Sequence, residues 1–198
     1  MYYFFAFVLL FFTNLSFAQD NSKKEGLMTN YASFIMYHRF GENRYPSTNI
    51  KKEQFLKHIN ELLKPKYNVI NIEQALDAIN NKKLVKDRSV VITIDDAYSS
   101  VFNYAWPIFK KHNIPFTLFV STDVIDNNTP GYMSWEEIRI LRDNGITIGS
   151  QTKSHPHMYK LDRQKIISEL SISNKRFVDE IGSQPKIFAY PYGEYNLE

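Results

Sequence analysis

The chain has 198 residues, of which 43% are apolar and 15% aromatic, and its formal net charge at pH 7 is +3. This composition suits a packed core and excludes an intrinsically disordered chain, and the length fits one domain or one domain with an appendage. The scattered lysines and arginines argue against nucleic-acid binding, and the absence of cysteine excludes disulfides, thiolate metal ligands and a cysteine nucleophile.

The N-terminal residues 1–18 contain no charged side chain, and the run from Tyr2 to Phe12 is almost entirely apolar or aromatic. Small residues at Ser16 and Ala18 then precede a polar tail, residues 19–33. This pattern predicts a cleaved secretory signal, because the apolar stretch is short for a bilayer span. An uncleaved anchor is the alternative. We expect an exported protein of the periplasm, cell envelope or extracellular space, with no stable membrane span after cleavage.

From the end of this tail onward, the hydrophobic pattern predicts strands and helices that alternate. The predicted strands cover residues 33–40, 67–72, 89–94, 115–121, 146–150 and 186–190; the predicted helices cover 53–64, 73–80, 99–112, the stretch between Ser134 and Gly145, and the stretch between Asp162 and Gly182. Such alternation is typical of a parallel α/β sheet or barrel. The five strands counted from residue 67 onward are too few for a closed barrel.

Two adjacent aspartates, Asp95 and Asp96, follow the run of β-branched residues 90–94. The run predicts a strand buried on both faces of a parallel sheet, and α/β proteins bind ligands at the carboxyl ends of their strands. Neighbouring like charges raise each other's pKa, and a cation or a shared proton would offset that cost. The pair therefore indicates half of a metal-assisted acid–base site. The alternative is that one aspartate simply caps the following helix.

Polar segments also follow two later predicted strands. Residues 150–157 read Ser-Gln-Thr-Lys-Ser-His-Pro-His, and residues 191–193 read Pro-Tyr-Gly. Because the strand ends of one sheet converge in space, a carboxylate and an imidazole from neighbouring strands form a reasonable ligand set for a divalent metal. Taken alone, the His-Pro-His pattern also fits a solvated loop. The order of the three segments, each at a strand end, favours a site.

Together these segments resemble the polysaccharide deacetylase (NodB-homology) family. Residues 93–97 are similar to its Thr-Phe-Asp-Asp-Gly motif, 150–156 to its His-Ser/Thr-x-x-His-Pro motif, and 188–193 to its Arg-x-Pro-Tyr-Gly motif. Residues 37–40 resemble the strand that opens secreted members. The resemblance covers residues 34–198 and implies a distorted, incomplete (β/α) barrel with an N-terminal extension, whose C-terminal strands we expect to be missing.

The resemblance also implies a function, which is the metal-dependent removal of acetyl groups from polysaccharides. Asp95 would be the general base that activates the attacking water, and Asp96 and His155 would be ligands of one divalent metal ion, expected to be zinc. The backbone N–H of Tyr192 would hold the oxyanion. These roles are chemically coherent, because the metal neutralises one carboxylate and leaves the other free as a base.

Four departures from the family pattern stand out. Gln151 occupies the place of the first metal histidine; its neutral amide would be a third ligand weaker than imidazole, with His157 and His38 as alternative donors. Ala189 replaces the arginine that orients the base, and Ala97 replaces a glycine. The later Leu-x-His motif, which supplies the general acid, has no counterpart before residue 198. We expect either a fragment of a longer protein or a missing acid.

The expected substrate is an acetylated amino-sugar polymer, with no nucleic-acid partner. Tyr132, in a turn-rich loop at a strand end, and Pro191 are the predicted sugar contacts, whereas Trp106 and Trp135 are expected to pack in the core. The rival hypothesis is a non-catalytic carbohydrate-binding protein that keeps the fold without the metal. A metal-independent glycosidase would need two carboxylates about 5–10 Å apart across a cleft, which adjacent aspartates do not supply.

Overall fold

The structure of the chain is a computed structural model that describes residues 27–81 and 83–196. The predicted signal, residues 1–18, and the first part of the predicted polar tail, residues 19–26, lie outside the described residues. Within the described ranges, no helix has both the length and the apolar character needed to cross a membrane.

The secondary-structure elements follow the predicted alternation. In chain order they are β1 (Met28–Thr29), β2 (Ser33–Tyr37), β3 (Arg39–Phe40), β4 (Asn49–Ile50), α1 (Lys52–Leu62), β5 (Asn68–Ile70), α2 (Ile72–Asn80), β6 (Val85–Lys86), β7 (Ser89–Ile94), a π-helical turn (Val101–Ala105), α3 (Trp106–Lys111), β8 (Thr117–Val120), α4 (Thr122–Asp126), α5 (Trp135–Asp143), β9 (Thr147–Ser150), α6 (Arg163–Ile181) and a 3₁₀ turn (Pro191–Gly193), besides a second 3₁₀ turn at Met158–Lys160.

Strand β7 is the centre of a parallel five-stranded sheet. Along one edge it pairs with β2, from Ser33 opposite Val90 to Tyr37 opposite Ile94. Its other edge is shared, because β5 pairs with the first half of β7 and β8 pairs only with Thr93 and Ile94. Strand β9 then pairs with β8. All six residues of β7 are buried, which explains the uninterrupted β-branched run. The predicted parallel α/β fold is confirmed.

The main core lies between the sheet and its helices. Helix α1 buries Phe55 and Ile59, α5 buries Ile138 and Leu141, and α6 buries Phe177. The spacing of three or four residues places each set on one helix face, which packs against the sheet. The carboxyl ends of the strands remain available for the loops that carry the polar segments.

Most predicted helix boundaries are correct because their capping residues act as the sequence indicates. Ser134 and Glu137 form a reciprocal capping box at the start of α5. Asp162 accepts a hydrogen bond from the N–H of Lys165 at the start of α6, and Gly182 ends α6 in the left-handed conformation, with φ of 77°.

Two predicted strands differ from the structure, and one helix was not predicted. The strand at 33–40 breaks at His38, because β3 turns away and pairs with β4. Helix α4 was not predicted, since five residues without a side-chain cap carry little periodic signal. The prediction of a strand over 186–190 is wrong. Only Phe188 forms a bridge to β9, at Ser150, and the chain enters a 3₁₀ turn at Pro191.

The helix predicted over 99–112 also has a different form. Pro107 lies inside this stretch, where a proline normally kinks a helix, but the chain instead widens into a π-helical turn, in which Trp106 donates its N–H to the carbonyl of Val101 five residues earlier. A proline lacks an N–H and clashes with the carbonyl four residues before it. The wider turn removes this conflict, so α3 continues from Trp106 to Lys111.

Gly149 in β9 gives a test of the packing beneath the strand ends. A Cβ at this position would lie 2.5 Å from ring atoms of Phe119 and 3.2 Å from the carbonyl oxygen of Ile187. Gly149→Ala is therefore expected to lower the free energy of unfolding by about 1–3 kcal/mol, measured by urea denaturation. The matched comparison adds Gly149→Ala to a Phe119→Leu background, where the loss should shrink. Equal losses in both backgrounds would contradict this packing.

Candidate functional site

The predicted strand ends meet at a cleft of about 780 Å³ at the carboxyl edge of the sheet. Residues from all three polar segments line it, among them Asp95, Asp96, Gln151, His155 and Tyr192. A smaller cavity of about 440 Å³ lies beside α6, but its lining contains no carboxylate and no imidazole. The larger cleft is therefore the candidate site.

The aspartate pair stands on a sharply turned segment directly after β7. The N–H of Asp95 still donates to the carbonyl of Tyr37 at 2.9 Å, which continues the pairing with β2. The next two residues, Asp96 and Ala97, have φ of 70° and 53°. This left-handed turn is strained for residues other than glycine, and such strain is concentrated at functional sites. Among the described residues, neither carboxylate accepts a bond from a helix N–H, so the capping alternative does not describe this pair.

His155 is held by the loop after β9. Thr152 and His155 both have positive φ, and the hydroxyl of Thr152 accepts a hydrogen bond from the N–H of His155 at 3.1 Å. Two backbone hydrogen bonds join this loop to α4: the N–H of Thr122 donates to the carbonyl of Thr152, and the N–H of Asp123 donates to the carbonyl of Lys153. As a result, Nε2 of His155 lies 3.4 Å from Oδ1 of Asp96.

Tyr192 forms the third side of the cleft. Its φ is 61°, and within the described part of the chain its N–H has no acceptor. The ring stacks on His157 with centroids 4.1 Å apart and meets His155 edge-on at 4.6 Å. His157 in turn bonds through Nδ1 to Oε2 of Glu194 at 2.6 Å and does not line the cleft. The structure thus brings Tyr192 to the site and directs His157 away from it.

His38 is a cleft residue that the strand pattern indicated only weakly. It lies at the break between β2 and β3 and lines the cleft, where it is half-buried. Burial lowers the pKa of its imidazole, and the nearby carboxylate of Asp96 opposes that shift. Of the two alternative metal donors, His38 is the one that faces the cleft. The signal that could have identified it is its position at the carboxyl end of the first parallel strand.

The cleft is anionic, because Asp95 and Asp96 line it and none of the described lining residues is a lysine or arginine. Burial, followed by repulsion from Asp96, raises the pKa of Asp95 to about 7, while a hydrogen bond from Gln151 acts in the opposite direction. Burial lowers the pKa of His155, against the attraction of Asp96. Burial and then Asp96 raise the pKa of the Tyr98 hydroxyl. A bound cation would offset the proximity of two carboxylates in this setting.

The donors fit a divalent metal ion in part. Ligand bonds of roughly 2.0–2.1 Å in a tetrahedral zinc site place neighbouring ligand atoms about 3.3 Å apart, close to the 3.4 Å between Asp96 and His155. In residues 27–81 and 83–196, no three His, Cys, Asp or Glu side chains converge as a metal site. The remaining neighbour is Gln151, whose Nε2 donates to Oδ2 of Asp95 and whose Oε1 accepts from the N–H of Asp96, each at 3.4 Å. Asp96 and His155 therefore fit a zinc ion, and the third nearby donor, Gln151, is a neutral amide.

Aromatic side chains form the walls of the cleft. Tyr132 lies at the mouth with its ring centroid 4.8 Å from that of Tyr98, and the hydroxyl of Ser99 donates to the Tyr132 carbonyl. The guanidinium of Arg39 covers Tyr98 at 3.3 Å. Pro191 is buried and opens the 3₁₀ turn, and it is not among the lining residues. The sequence missed Tyr98, because no motif included it.

Both tryptophans pack as the sequence predicts. Trp106 and Trp135 are buried in the main core, and the indole N–H of Trp135 donates to Asp126 at 2.7 Å. Neither lines the cleft. The aromatic surface available to a ligand therefore consists of tyrosines.

Comparisons with known proteins agree on one family. The family model described as polysaccharide deacetylase matches residues 82–198. The protein YxkH of Bacillus subtilis strain 168, which its name assigns to the polysaccharide deacetylases, is 28% identical over 164 residues, covering 83% of this chain and 57% of the relative. The poly-β-1,6-N-acetyl-D-glucosamine N-deacetylase of Staphylococcus aureus strain MSSA476 is 24% identical over 206 residues, covering 89% and 70%.

A solved structure with the same fold is the deacetylase PplD of Streptococcus pyogenes in complex with acetate. It has a TM-score of 0.76 and 19% identity, and the match covers 87% of this chain and 77% of that one. This likeness shows the shared fold. The chain spans little more than half the length of the Bacillus relative.

The charge at Asp95 gives a stability prediction for the metal-free protein. A carboxyl whose pKa is raised on folding costs stability wherever the unfolded chain is ionised, so the cost is small near pH 4, grows with pH and is complete above pH 7. Asp95→Asn is expected to raise the free energy of unfolding at pH 8 by about 1 kcal/mol or more, and less at pH 4. The measurement is urea denaturation in the presence of a chelator.

The matched control is Asp179→Asn, at a surface carboxylate that pairs with Lys175 at 2.7 Å. This change should alter stability by no more than about 0.5 kcal/mol at either pH. A less stable Asp95→Asn protein at pH 8 would show that the buried charge is compensated by a contact other than those described.

Proposed function

The chain belongs to the polysaccharide deacetylase family, and from this membership we propose that it hydrolyses acetyl groups on an acetylated amino-sugar polymer. The observation that carries the proposal is the meeting of Asp95, Asp96 and His155 in one cleft, with Nε2 of His155 3.4 Å from Oδ1 of Asp96. The Staphylococcus aureus relative, whose name specifies an N-acetylglucosamine polymer, supports an N-acetylated glucosamine polymer as the substrate class.

Asp96 and His155 would hold one divalent metal ion, for which we propose zinc, through a carboxylate oxygen and an imidazole nitrogen. When bound, the ion supplies a Lewis acid that polarises the acetyl carbonyl and makes a water molecule more acidic. His155 is fixed for this role by the Thr152 hydroxyl, and both donors lie at the same edge of the sheet.

Asp95 is the general base. It lies next to Asp96 and, among the described residues, contacts no lysine or arginine, so its carboxylate is free to take a proton from the water that attacks the acetyl carbon. The backbone N–H of Tyr192 would then meet the negative charge that develops on the carbonyl oxygen, because in the left-handed turn this donor has no acceptor among the described residues.

His38 is the proton donor to the leaving amine. It and His155 are the two imidazoles among the described residues that line the cleft, and His155 is paired with Asp96. Cleavage of the amide C–N bond requires a proton on the departing nitrogen, and a half-buried imidazole beside the site can deliver it. The products are acetate and a free amino group on the polymer.

The setting of the reaction follows from the tyrosine walls and the N-terminal sequence. Tyr132 and Tyr98 present ring surface on which a sugar can pack. The apolar N-terminal segment, residues 1–18, supports export, which would place the enzyme in the compartment of an envelope or extracellular polysaccharide.

The base assignment predicts that Asp95→Asn abolishes turnover without removing the metal ligands. Acetate release from an N-acetylglucosamine oligomer should fall by about 10²–10⁴-fold, because the amide cannot take a proton. Bound zinc, measured by elemental analysis of the purified protein, should remain. Asp179→Asn is the activity control. Full activity of Asp95→Asn would exclude Asp95 as the base.

The proton-donor assignment predicts a different outcome for His38→Gln. The substitution should lower kcat by about 100-fold or more and leave zinc content unchanged, since the amide preserves size but carries no transferable proton. His58→Gln is the control, at a histidine that bonds to the Tyr37 hydroxyl and does not line the cleft. Loss of zinc from His38→Gln would instead make His38 a ligand.

A second function is favoured by the neutral Gln151, namely carbohydrate binding without catalysis. The two functions separate on the wild-type protein, by acetate release with added zinc and again with a chelator. Zinc-dependent acetate release supports the deacetylase. Binding of the oligomer without bound zinc and without release supports the carbohydrate-binding protein.

A further inference from the structure

We propose that Gln151 is the residue that positions Asp95, rather than a ligand of the metal ion. This inference rests on the proposed function, in which Asp95 is the base. The side-chain amide of Gln151 spans the two aspartates, with its Nε2 donating to Oδ2 of Asp95 and its Oε1 accepting from the backbone N–H of Asp96. The amide thus fixes the carboxylate of Asp95 against the backbone of Asp96.

Gln151 is held rigidly enough to orient another side chain. It is 2% exposed, its N–H continues the sheet pairing by donating to the carbonyl of Val120 at 2.9 Å, and its own carbonyl accepts from the hydroxyl of Ser121 at 2.8 Å. A side chain fixed at its backbone and buried on all sides presents its amide in one orientation, so it can preorganise the group it contacts.

Asp95 is a buried carboxylate that requires a hydrogen-bond donor to fix its orientation. The residue is 8% exposed, and among the described side chains Gln151 is the one hydrogen-bond donor to its carboxylate. A buried carboxylate without donors is costly and has no fixed orientation. Ala189 also lines the cleft and presents only a methyl group there.

The atoms of Gln151 favour this role over ligation. Its oxygen, which is the atom that would bind a metal, uses one of its two lone pairs to accept from the N–H of Asp96, and its nitrogen has no free electron pair for coordination. A neutral amide is also a weak ligand for zinc compared with imidazole or carboxylate. The metal ion would then take Asp96 and His155 from the chain, and Gln151 would act on the base.

Residues 151 and 189 are expected to act as a pair. Both line the cleft, and both differ from the family pattern noted in the sequence, which has a histidine at the first position and an arginine at the second. If Gln151 supplies the hydrogen bond that the family's arginine would give Asp95, the glutamine at position 151 compensates for the alanine at position 189. An arginine at position 189 should therefore restore what the loss of Gln151 removes.

The experiment compares Gln151→Ala and Gln151→Glu with the wild-type chain. Metal affinity is measured with Co²⁺ by competition against a chelator, the ligand set by the visible absorption of bound Co²⁺, and kcat and KM by acetate release with Zn²⁺. Both variants should lose about 10–100-fold in kcat, with KM nearly unchanged, because a residue that orients the base acts mainly on the chemical step. Gln151→Glu keeps the size, loses the N–H donor and adds a carboxylate, whereas Gln151→Ala removes the whole side chain without adding charge.

The metal readouts distinguish positioning from ligation. Gln151→Ala should keep the wild-type Co²⁺ spectrum and an affinity within about threefold, while Gln151→His should change the spectrum by adding a ligand. Ala189→Arg in the Gln151→Ala background should recover much of the lost kcat. A tenfold or larger loss of Co²⁺ affinity in Gln151→Ala, with a changed spectrum, would make Gln151 a ligand and overturn the inference.

Failure of the inference and failure of the proposed function give different results. A wild-type chain that releases no acetate with added zinc removes the proposed function, and the inference falls with it. An active wild-type chain whose Gln151→Ala variant is folded, binds Co²⁺ normally and turns over at the wild-type rate would overturn the inference alone.

Discussion

The site depends on one constraint: two adjacent carboxylates share a cleft in which no described side chain is a lysine or arginine. Asp95 is buried, and its charged form is opposed both by desolvation and by Asp96. The chain keeps this pair in place with strained backbone at Asp96, Ala97, Thr152, His155 and Tyr192, all of which have positive φ. Each such residue costs about 1–2 kcal/mol. Backbone hydrogen bonds from other segments hold these loops in place. The N–H of Met133 donates to the carbonyl of Ala97, and the N–H of Thr122 donates to the carbonyl of Thr152.

The sequence predicts well those parts of the fold that depend on local chemistry. The β-branched run of β7 and the caps at Ser134, Asp162 and Gly182 each lie where the structure places them, because burial and capping are decided within a few residues. The motif residues could also be assigned to strand ends. The cleft at the carboxyl edge then follows from the parallel direction of the strands.

The parts that could not be predicted depend on contacts between distant segments. His38 was a candidate donor because it ends a predicted strand, but its place in the cleft depends on β3 leaving the sheet to pair with β4. The segment at 186–190 has the composition of a strand, but a single bridge to β9 is all that forms before Pro191. Gln151 could be identified as a departure from the family pattern, but its bonds to both aspartates appear only when β9 is placed beside β8 and β7.

The register of three strands explains why Gln151 meets both aspartates. Strand β8 pairs with Thr93 and Ile94 through its own first two residues, so its last residue, Val120, is level with Asp96. Strand β9 is in step with β8, with Ser150 opposite Val120. Gln151 is the next residue, and its side chain lies over the aspartate turn. A shift of β9 by one residue would place this side chain on the opposite face. The contact between the Gln151 amide and Asp95 therefore depends on the register of the sheet. Because β5 occupies the first half of this edge of β7, β8 pairs only with its end, and β9 and Gln151 are brought level with the aspartates.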